Sequence, residues 1–166
     1  MEKLLEQIST YELLNNLLPG ALLYTLFCWH TGYQSKIDNV VLELFVFYFI
    51  GLVVGRFGSL VIEPLYKKLG IINTADYEDF IEASKKDSKL ETLSTKNNMY
   101  RTFTAVFMLY AIWRIADWTI IKYPILQPWL MKIGIVLLIL LFSLSYKKQT
   151  KYIYERVKKQ MQNDER

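Results

Sequence analysis

The chain has 166 residues, of which 52% are hydrophobic, and the apolar residues gather into runs of about 20 residues with few charges. Such runs are typical of membrane-spanning helices and exclude an ordinary soluble domain, where apolar residues are spread at core spacing. The net charge of +4 is attributed to the Lys and Arg that flank membrane spans, so direct nucleic-acid binding is not expected. The single cysteine, Cys28, excludes an internal disulfide and a cysteine-based metal site.

The first apolar run predicts a retained signal anchor rather than a cleaved signal peptide. Residues 2–12 are acidic and amphipathic, and we expect them to lie at the cytoplasmic interface. The first span is predicted over Leu13–Tyr33, which carries no formal charge. Two interpretations stay open at its start: the span begins at Pro19, or Asn15 and Asn16 cap carbonyls in a broken first turn that lines a polar crevice.

The second span is the predicted hub of the bundle. It lies in the apolar stretch from Val40 to Leu69 and runs from Val40 to about Glu63, where Pro64 follows. The turn over residues 32–39 is short, so the first two spans are expected to be antiparallel neighbours.

Small residues on the second span predict close contact with another helix. They occur at helical spacing and comprise Gly51, Gly55, Gly58 and Ser59. The contact could lie within one bundle or between subunits, and the sequence leaves both open. In the intersubunit case, Gly55→Leu is expected to disrupt assembly before it disrupts insertion.

The segment between spans 2 and 3, residues 64–98, is predicted to be cytoplasmic, with a solvated helical hairpin over 71–99. Thr74 or Asp76 can cap its first helix. A surface for a cytoplasmic protein partner or a small signalling ligand is the sharper alternative for this hairpin.

The second half of the chain predicts two further spans. The third covers about Met99–Ile121, and the fourth covers Trp129–Tyr146 after a tight turn over residues 122–128. A basic, helical tail follows over 147–166. The predicted fold is therefore a single membrane domain over residues 1–166, an all-α protein with four transmembrane helices.

Basic residues predict the orientation of these spans. Most lie in three places: the N-terminus, the 67–101 segment and the tail. The positive-inside rule then places both termini and the 64–98 segment in the cytoplasm. Trp29, Trp118 and Trp129 fall at the outer ends of the spans, which agrees with the preference of indoles for the headgroup level.

Charged residues inside the spans are the candidate functional groups, because a charge at membrane depth requires a partner or a water path. Glu43, Arg114 and Asp117 are expected to meet in the outer half. They would form either a buried staple between helices or the outer ring of an ion path.

A second group of polar residues lies on one face of the second span near its inner boundary. Arg56, Ser59 and Glu63 are spaced by three and four residues. Arg56 could extend to lipid phosphates, pair with a carboxylate of a neighbouring subunit, or pair with Glu63 through water.

Catalytic and cofactor motifs are not recognised in the sequence. His30 is the single histidine and has no second ligand at metal-binding spacing. No nucleophile with a base and no glycine-rich phosphate loop is found, so we expect neither an enzyme nor a cofactor.

Four strings carry a resemblance: NNLLPG (15–20), GRFGSLVIEP (55–64), ADYEDFIEASKKD (75–87) and NNMYR (97–101). The chain resembles small bacterial four-span membrane proteins, some of them encoded beside anti-phage systems, including multi-span accessory proteins next to RNA-targeting CRISPR effectors. The resemblance implies an effector of the bacterial inner membrane that arrests the infected cell by permeabilising that membrane. It brings no functional residues with it.

Two functions follow as hypotheses. The first is a regulated, homo-oligomeric pore that is controlled through the 71–99 hairpin and the tail. The alternative is a non-conducting anchor or assembly subunit that docks a cytoplasmic partner. A small transporter is disfavoured, because the two halves show no matching interrupted helices.

Overall fold

The computed structural model describes residues 12–35 and 37–164, and every regular element within these ranges is a helix. This confirms the predicted all-α class. The predicted lead-in helix over residues 2–12 lies outside the described residues, apart from Glu12.

The first helix, α1, covers residues 13–31. A π-helical turn, Leu13–Leu17, passes directly into an α-helix, Leu18–Thr31. Pro19 therefore does not begin the helix, because the chain is already helical before it. Gly32 ends α1 in the left-handed region at φ 68°, which a glycine adopts without a Cβ penalty.

The second helix, α2, is continuous over Val40–Lys68. The Asn39 side chain caps its start by accepting hydrogen bonds from the backbone N–H groups of Val41 and Leu42. The span was predicted to end at about Glu63, and the helix itself continues to Lys68, just before Gly70 at φ 69°. A π-helical turn, Gly58–Ile62, precedes Pro64 and accommodates the proline ring, so the helix continues for another turn beyond it.

The predicted helical hairpin is present as α3, Tyr77–Lys86, and the first turns of α4, Lys89–Lys122. Asp76 precedes α3 with extended backbone, although its side chain makes no cap hydrogen bond. The predicted start of the third span at Met99 is not a structural boundary. The second arm of the hairpin and the third span are one helix.

A short 3-10 turn, Pro124–Leu126, leads into the last helix, α5, Gln127–Asp164. The predicted fourth span and the basic tail are therefore continuous. Phe49 of α2 stacks on Phe142 of α5, with ring centroids 6.2 Å apart, so α5 lies against α2.

Among the described residues, three helical stretches are long and apolar enough to cross a membrane: Val40–Lys68, Lys89–Lys122 and Pro124–Lys158. The predicted first span is not among them. Large apolar side chains cover the outside of these helices. Met131 on α5, for example, is 77% exposed.

Glycines bring α1 and α2 into backbone contact. A Cβ added to Gly51 would lie 1.8 Å from the carbonyl oxygen of Asn16, and one added to Gly20 would lie 1.8 Å from that of Phe47. The two helices therefore approach each other reciprocally, carbonyl against Cα, in the manner of Cα–H···O contacts.

The remaining small residues of α2 have other surroundings. Gly58 packs on Ala105 and Arg101 of α4, whereas Gly55 has no heavy atom nearer than 4.0 Å to the position of an added Cβ. Gly58, like Gly51, thus serves packing within one chain, which was one of the two predicted alternatives.

Candidate functional site

The bundle has two ends. We call the end that holds α3, the start of α4 and the second half of α5 the hairpin end. The opposite end, with residues 32–39 and 122–128, is called the turn end. Polar cavities occupy the hairpin end and extend between the helices.

Three adjoining cavities form one recess, here called the cationic recess. The largest, about 810 Å³, lies between α3, α4 and α5, and it shares Glu63, Tyr77 and Tyr152 with a cavity of about 300 Å³. The middle cavity shares Arg56, Ser59 and Arg101 with the innermost cavity of about 120 Å³. Polar groups therefore continue from the hairpin to the interior of the bundle.

Glu63 is the carboxylate of the middle cavity and joins three helices. Its Oε2 atom accepts a hydrogen bond from Arg101 of α4 at 2.6 Å, and its Oε1 atom lies 3.1 Å from the Lys67 ammonium. Lys148 of α5 is 3.8 Å away. The Glu63 side chain is only 17% exposed, so these contacts lie largely out of water.

Lys148 also binds the backbone that Pro64 leaves free. Within the π turn, the Glu63 N–H donates to the carbonyl of Gly58, five residues earlier. The next donor in that pattern would serve Ser59, but residue 64 is a proline and has no N–H. Lys148 Nζ donates instead to the Ser59 carbonyl at 3.0 Å and to its hydroxyl at 2.8 Å.

Among the described residues that line the middle cavity, cations outnumber carboxylates, whereas the largest cavity adds Lys67 and Lys151 but also Asp76, Asp79 and Glu155. Arg56, Arg101 and Lys148 line the middle cavity together with the single carboxylate of Glu63. Arg56 forms no ion pair with the described residues, and the Arg101 Nε atom is buried without a hydrogen-bond partner among them. Local charge is therefore positive and only partly compensated.

Lys148 lies beyond the predicted fourth span, and its pKa is lowered from the usual value of a lysine. Burial of the ammonium is the main cause. Glu63 opposes the shift, while the neighbouring cations, Arg101 foremost, add to it.

Aromatic rings connect the hairpin to the tail at the mouth of the middle cavity. Tyr77 of α3 stacks on Tyr152 of α5, with ring centroids 4.7 Å apart and planes inclined by 21°. The Lys148 ammonium lies 5.8 Å from the centroid of the Tyr152 ring. Residues from α3 and α5 thus form one wall of the cavity.

The innermost cavity is lined by the π-helical turn of α1. Asn15 and Asn16 face Gly55 and Arg56 of α2 across it, and Asn15 is 3% exposed. This geometry agrees with the polar crevice that the sequence offered as one of two interpretations, although the turn is π-helical rather than broken. Pro19 follows this turn by the same spacing as Pro64 follows the π turn of α2.

An apolar layer separates the recess from the turn end. Its fully buried residues include Val54, Ala105 and Val106. Other apolar side chains from α1, α2 and α4 pack against them, and those beyond the recess are Leu22, Leu23, Leu26, Ile50, Met108 and Leu109. Among the described residues of this layer, no polar side chain is fully buried.

A second group of charged residues lies near the turn end, and its members differ from the predicted set of Glu43, Arg114 and Asp117. Arg114 and Asp117 pair on α4 at 3.6 Å, as their spacing indicated, but Glu43 forms no ion pair with them. His30 of α1 takes the third position: its Nε2 atom contacts Arg114 and lies 3.7 Å from Asp117. The reason is that α4 packs on α1 here, and Trp113 of α4 lies edge-on to the His30 ring.

Sequence reasoning therefore found Arg56, Ser59 and Glu63 but missed the partners of Glu63. Pro64 inside an apolar run could have indicated one of these partners. A proline has no N–H, so the Ser59 carbonyl lacks a backbone donor, and a lysine just beyond a neighbouring span, such as Lys148, can donate to it.

No protein-family model, curated protein or solved structure matches the chain. The resemblance to bacterial four-span defence proteins therefore stays a prediction.

Proposed function

We propose that the chain is a multi-pass protein of the bacterial inner membrane that forms a regulated, membrane-permeabilising path. In this proposal all four predicted spans cross the bilayer, with the hairpin end and both termini in the cytoplasm. The role in anti-phage defence implied by the sequence resemblance belongs to the same proposal.

The observation that carries the proposal is the order of layers along the bundle. The cationic recess opens at the hairpin end, the apolar layer around Val54 and Val106 follows, and the pair of Arg114 and Asp117 lies beyond it. Polar vestibules separated by a short hydrophobic constriction are the arrangement of a path that is closed by exclusion of water. The apolar layer would be the gate.

Further copies complete the path in this proposal. The core of one chain is filled at Val54 and Val106, which are both fully buried, so a bore requires displaced or additional helices. The first half of α5 offers the surface, because Met131, Val136 and Ile139 are between 55% and 77% exposed. A homo-oligomer that packs along α5 is consistent with this exposure.

The experiment changes the polarity of the gate while keeping its volume. In Val54→Thr and Val106→Thr a buried methyl becomes a hydroxyl, which favours water between the two polar layers. Reconstituted into liposomes, both variants are expected to release a trapped ion faster than the parent. Val136→Thr makes the same change on an exposed face and is the matched control.

The proposal fails if the gate variants and the control release ions at the parent rate while all four proteins are folded and inserted. It also fails if the parent and its gate variants leave the membrane potential of expressing bacteria unchanged. Circular dichroism and flotation of the liposomes establish folding and insertion independently of flux.

A second candidate function, an anchor for a cytoplasmic partner, is favoured by the tail half of α5. Ile153, Val157 and Met161 follow each other at intervals of four residues and are 57%, 53% and 64% exposed. Such a stripe is typical of a helix that packs on another protein. Replacing Ile153 and Val157 with Glu would abolish cellular function without changing liposome flux if anchoring is the role.

A further inference from the structure

We propose that the middle cavity of the cationic recess binds the phosphate group of an anionic ligand. The site is formed by Arg56, Arg101 and Lys148, which come from three helices and meet around one carboxylate, Glu63. Neither ion conduction nor anchoring is required for this binding.

The charge balance is the first argument. Glu63 is shared by Arg101, Lys67 and Lys148, so a single negative charge serves three cations. Arg56 adds a fourth cation and has no ion pair among the described residues. Cations that are partly removed from water require counter-charge, and a bound anion supplies it.

Donor geometry is the second argument and selects phosphate among anions. A guanidinium offers several N–H donors in a planar fork that matches phosphate oxygens, and both Arg56 and Arg101 line the cavity. The oxygens of a phosphate are arranged tetrahedrally, so Arg56, Arg101 and Lys148, which come from three helices, can approach them from different directions. Neutral polar residues complete the lining: Ser94, Asn98, Gln149, Tyr77 and Tyr152.

Size and position are the third argument. The cavity has about 300 Å³, at the lower end of the range of about 300–1,000 Å³ for small-molecule sites. It opens toward the larger cavity beside α3 through shared residues, among them Glu63 and Tyr152. The phosphate can therefore belong to a free molecule that comes from the hairpin side or to a lipid headgroup at the membrane boundary.

The experiment uses the full chain in a neutral detergent and has two arms. In the first, inorganic phosphate is titrated against sodium chloride at equal ionic strength, and the thermal midpoint of unfolding is measured. In the second, native mass spectrometry compares retention of phosphatidylglycerol with retention of phosphatidylcholine. Stabilisation in the first arm assigns the site to soluble phosphates, and selective retention in the second assigns it to an anionic headgroup.

Arg56→Gln is the decisive variant, because Arg56 has no ion pair with the described residues and its removal leaves none of them unpaired. It is expected to weaken binding about tenfold, the loss of roughly one charge-assisted hydrogen bond. Lys148→Gln should act in the same direction. Arg156→Gln, on the exposed tail, is the matched control and should bind as the parent does.

The proposal is overturned if phosphate stabilises no more than chloride and the two lipids are retained equally. It is also overturned if binding is observed but Arg56→Gln and Lys148→Gln retain it at the parent affinity while they remain folded.

Discussion

The contact between Gly20 and Gly51 gives the sharpest test of the packing. In Gly51→Ala the new methyl group would lie 1.8 Å from the Asn16 carbonyl oxygen. Real Cβ atoms essentially never approach within 3.0 Å of another heavy atom, so the two helices must separate by roughly 1.2 Å. The atom in contact is backbone, and no side-chain rotation can relieve the clash.

The expected cost exceeds the usual penalty of about 1–3 kcal/mol for overpacking, since both helices must move as units. Alanine is the better helix former by about 1 kcal/mol, and this gain does not offset the loss of the helix contact. Gly20→Ala should behave in the same way, because its added Cβ meets the Phe47 carbonyl at 1.8 Å.

Cys28 provides the assay, because it is the single thiol of the chain and lies half-buried on α1. A maleimide dye that fluoresces on reaction with the thiol reports thermal unfolding in detergent. Gly51→Ala is expected to lower the midpoint by several degrees. Gly55→Ala and Gly134→Ala, whose added Cβ atoms meet nothing nearer than 4.0 Å, should match or exceed the parent. A midpoint for Gly51→Ala equal to that of Gly55→Ala would refute the close contact between α1 and α2.

Three further predictions concern the charged groups. Lys148→Gln should lower the free energy of unfolding by about 1.5–3 kcal/mol in the parent. The loss should be smaller in a Pro64→Ala background, where the new backbone N–H can donate to the Ser59 carbonyl. A double-mutant cycle of thermal stabilities should show coupling of about 1 kcal/mol, and additive effects would contradict the capping role of Lys148. Glu63→Gln should destabilise by about 2–4 kcal/mol by leaving buried cations without their carboxylate, and a stability loss that vanishes at low salt would oppose this reasoning. Asp117→Asn should cost less than about 1 kcal/mol, because its side chain is 36% exposed, and chemical denaturation measures the difference.

The sequence predicted the helical class and the ion pair of Arg114 and Asp117, because both depend on local sequence patterns. Apolar runs give the helices, and a spacing of three places Arg114 and Asp117 on one face. The choice of His30 over Glu43 as their neighbour depends on which helix packs on α4, and no local pattern specifies that.

The way in which α2 continues past Pro64 could not be predicted from the sequence. Proline usually terminates a helix, since it removes a hydrogen bond and clashes with the preceding turn. Here the π turn over Gly58–Ile62 makes room for the ring, and Lys148 replaces the missing donor from a helix that begins more than 60 residues later in the chain. That compensation is tertiary, so no rule based on the local sequence predicts it.

α4 runs without a break from the hairpin end to the turn end of the bundle. Arg101 of α4 lies 2.6 Å from Glu63 of α2. From Arg101 the helix extends about 18 Å toward the hairpin, to Lys89, and about 32 Å in the other direction, to Lys122. A rotation of α4 about that contact would therefore move Lys122 roughly 1.8 times as far as it moves Lys89, in the opposite direction. Arg114 and Asp117 lie about 20 and 24 Å from Arg101 on the same uninterrupted helix, so the same rotation would move them about 1.1 and 1.3 times as far as it moves Lys89.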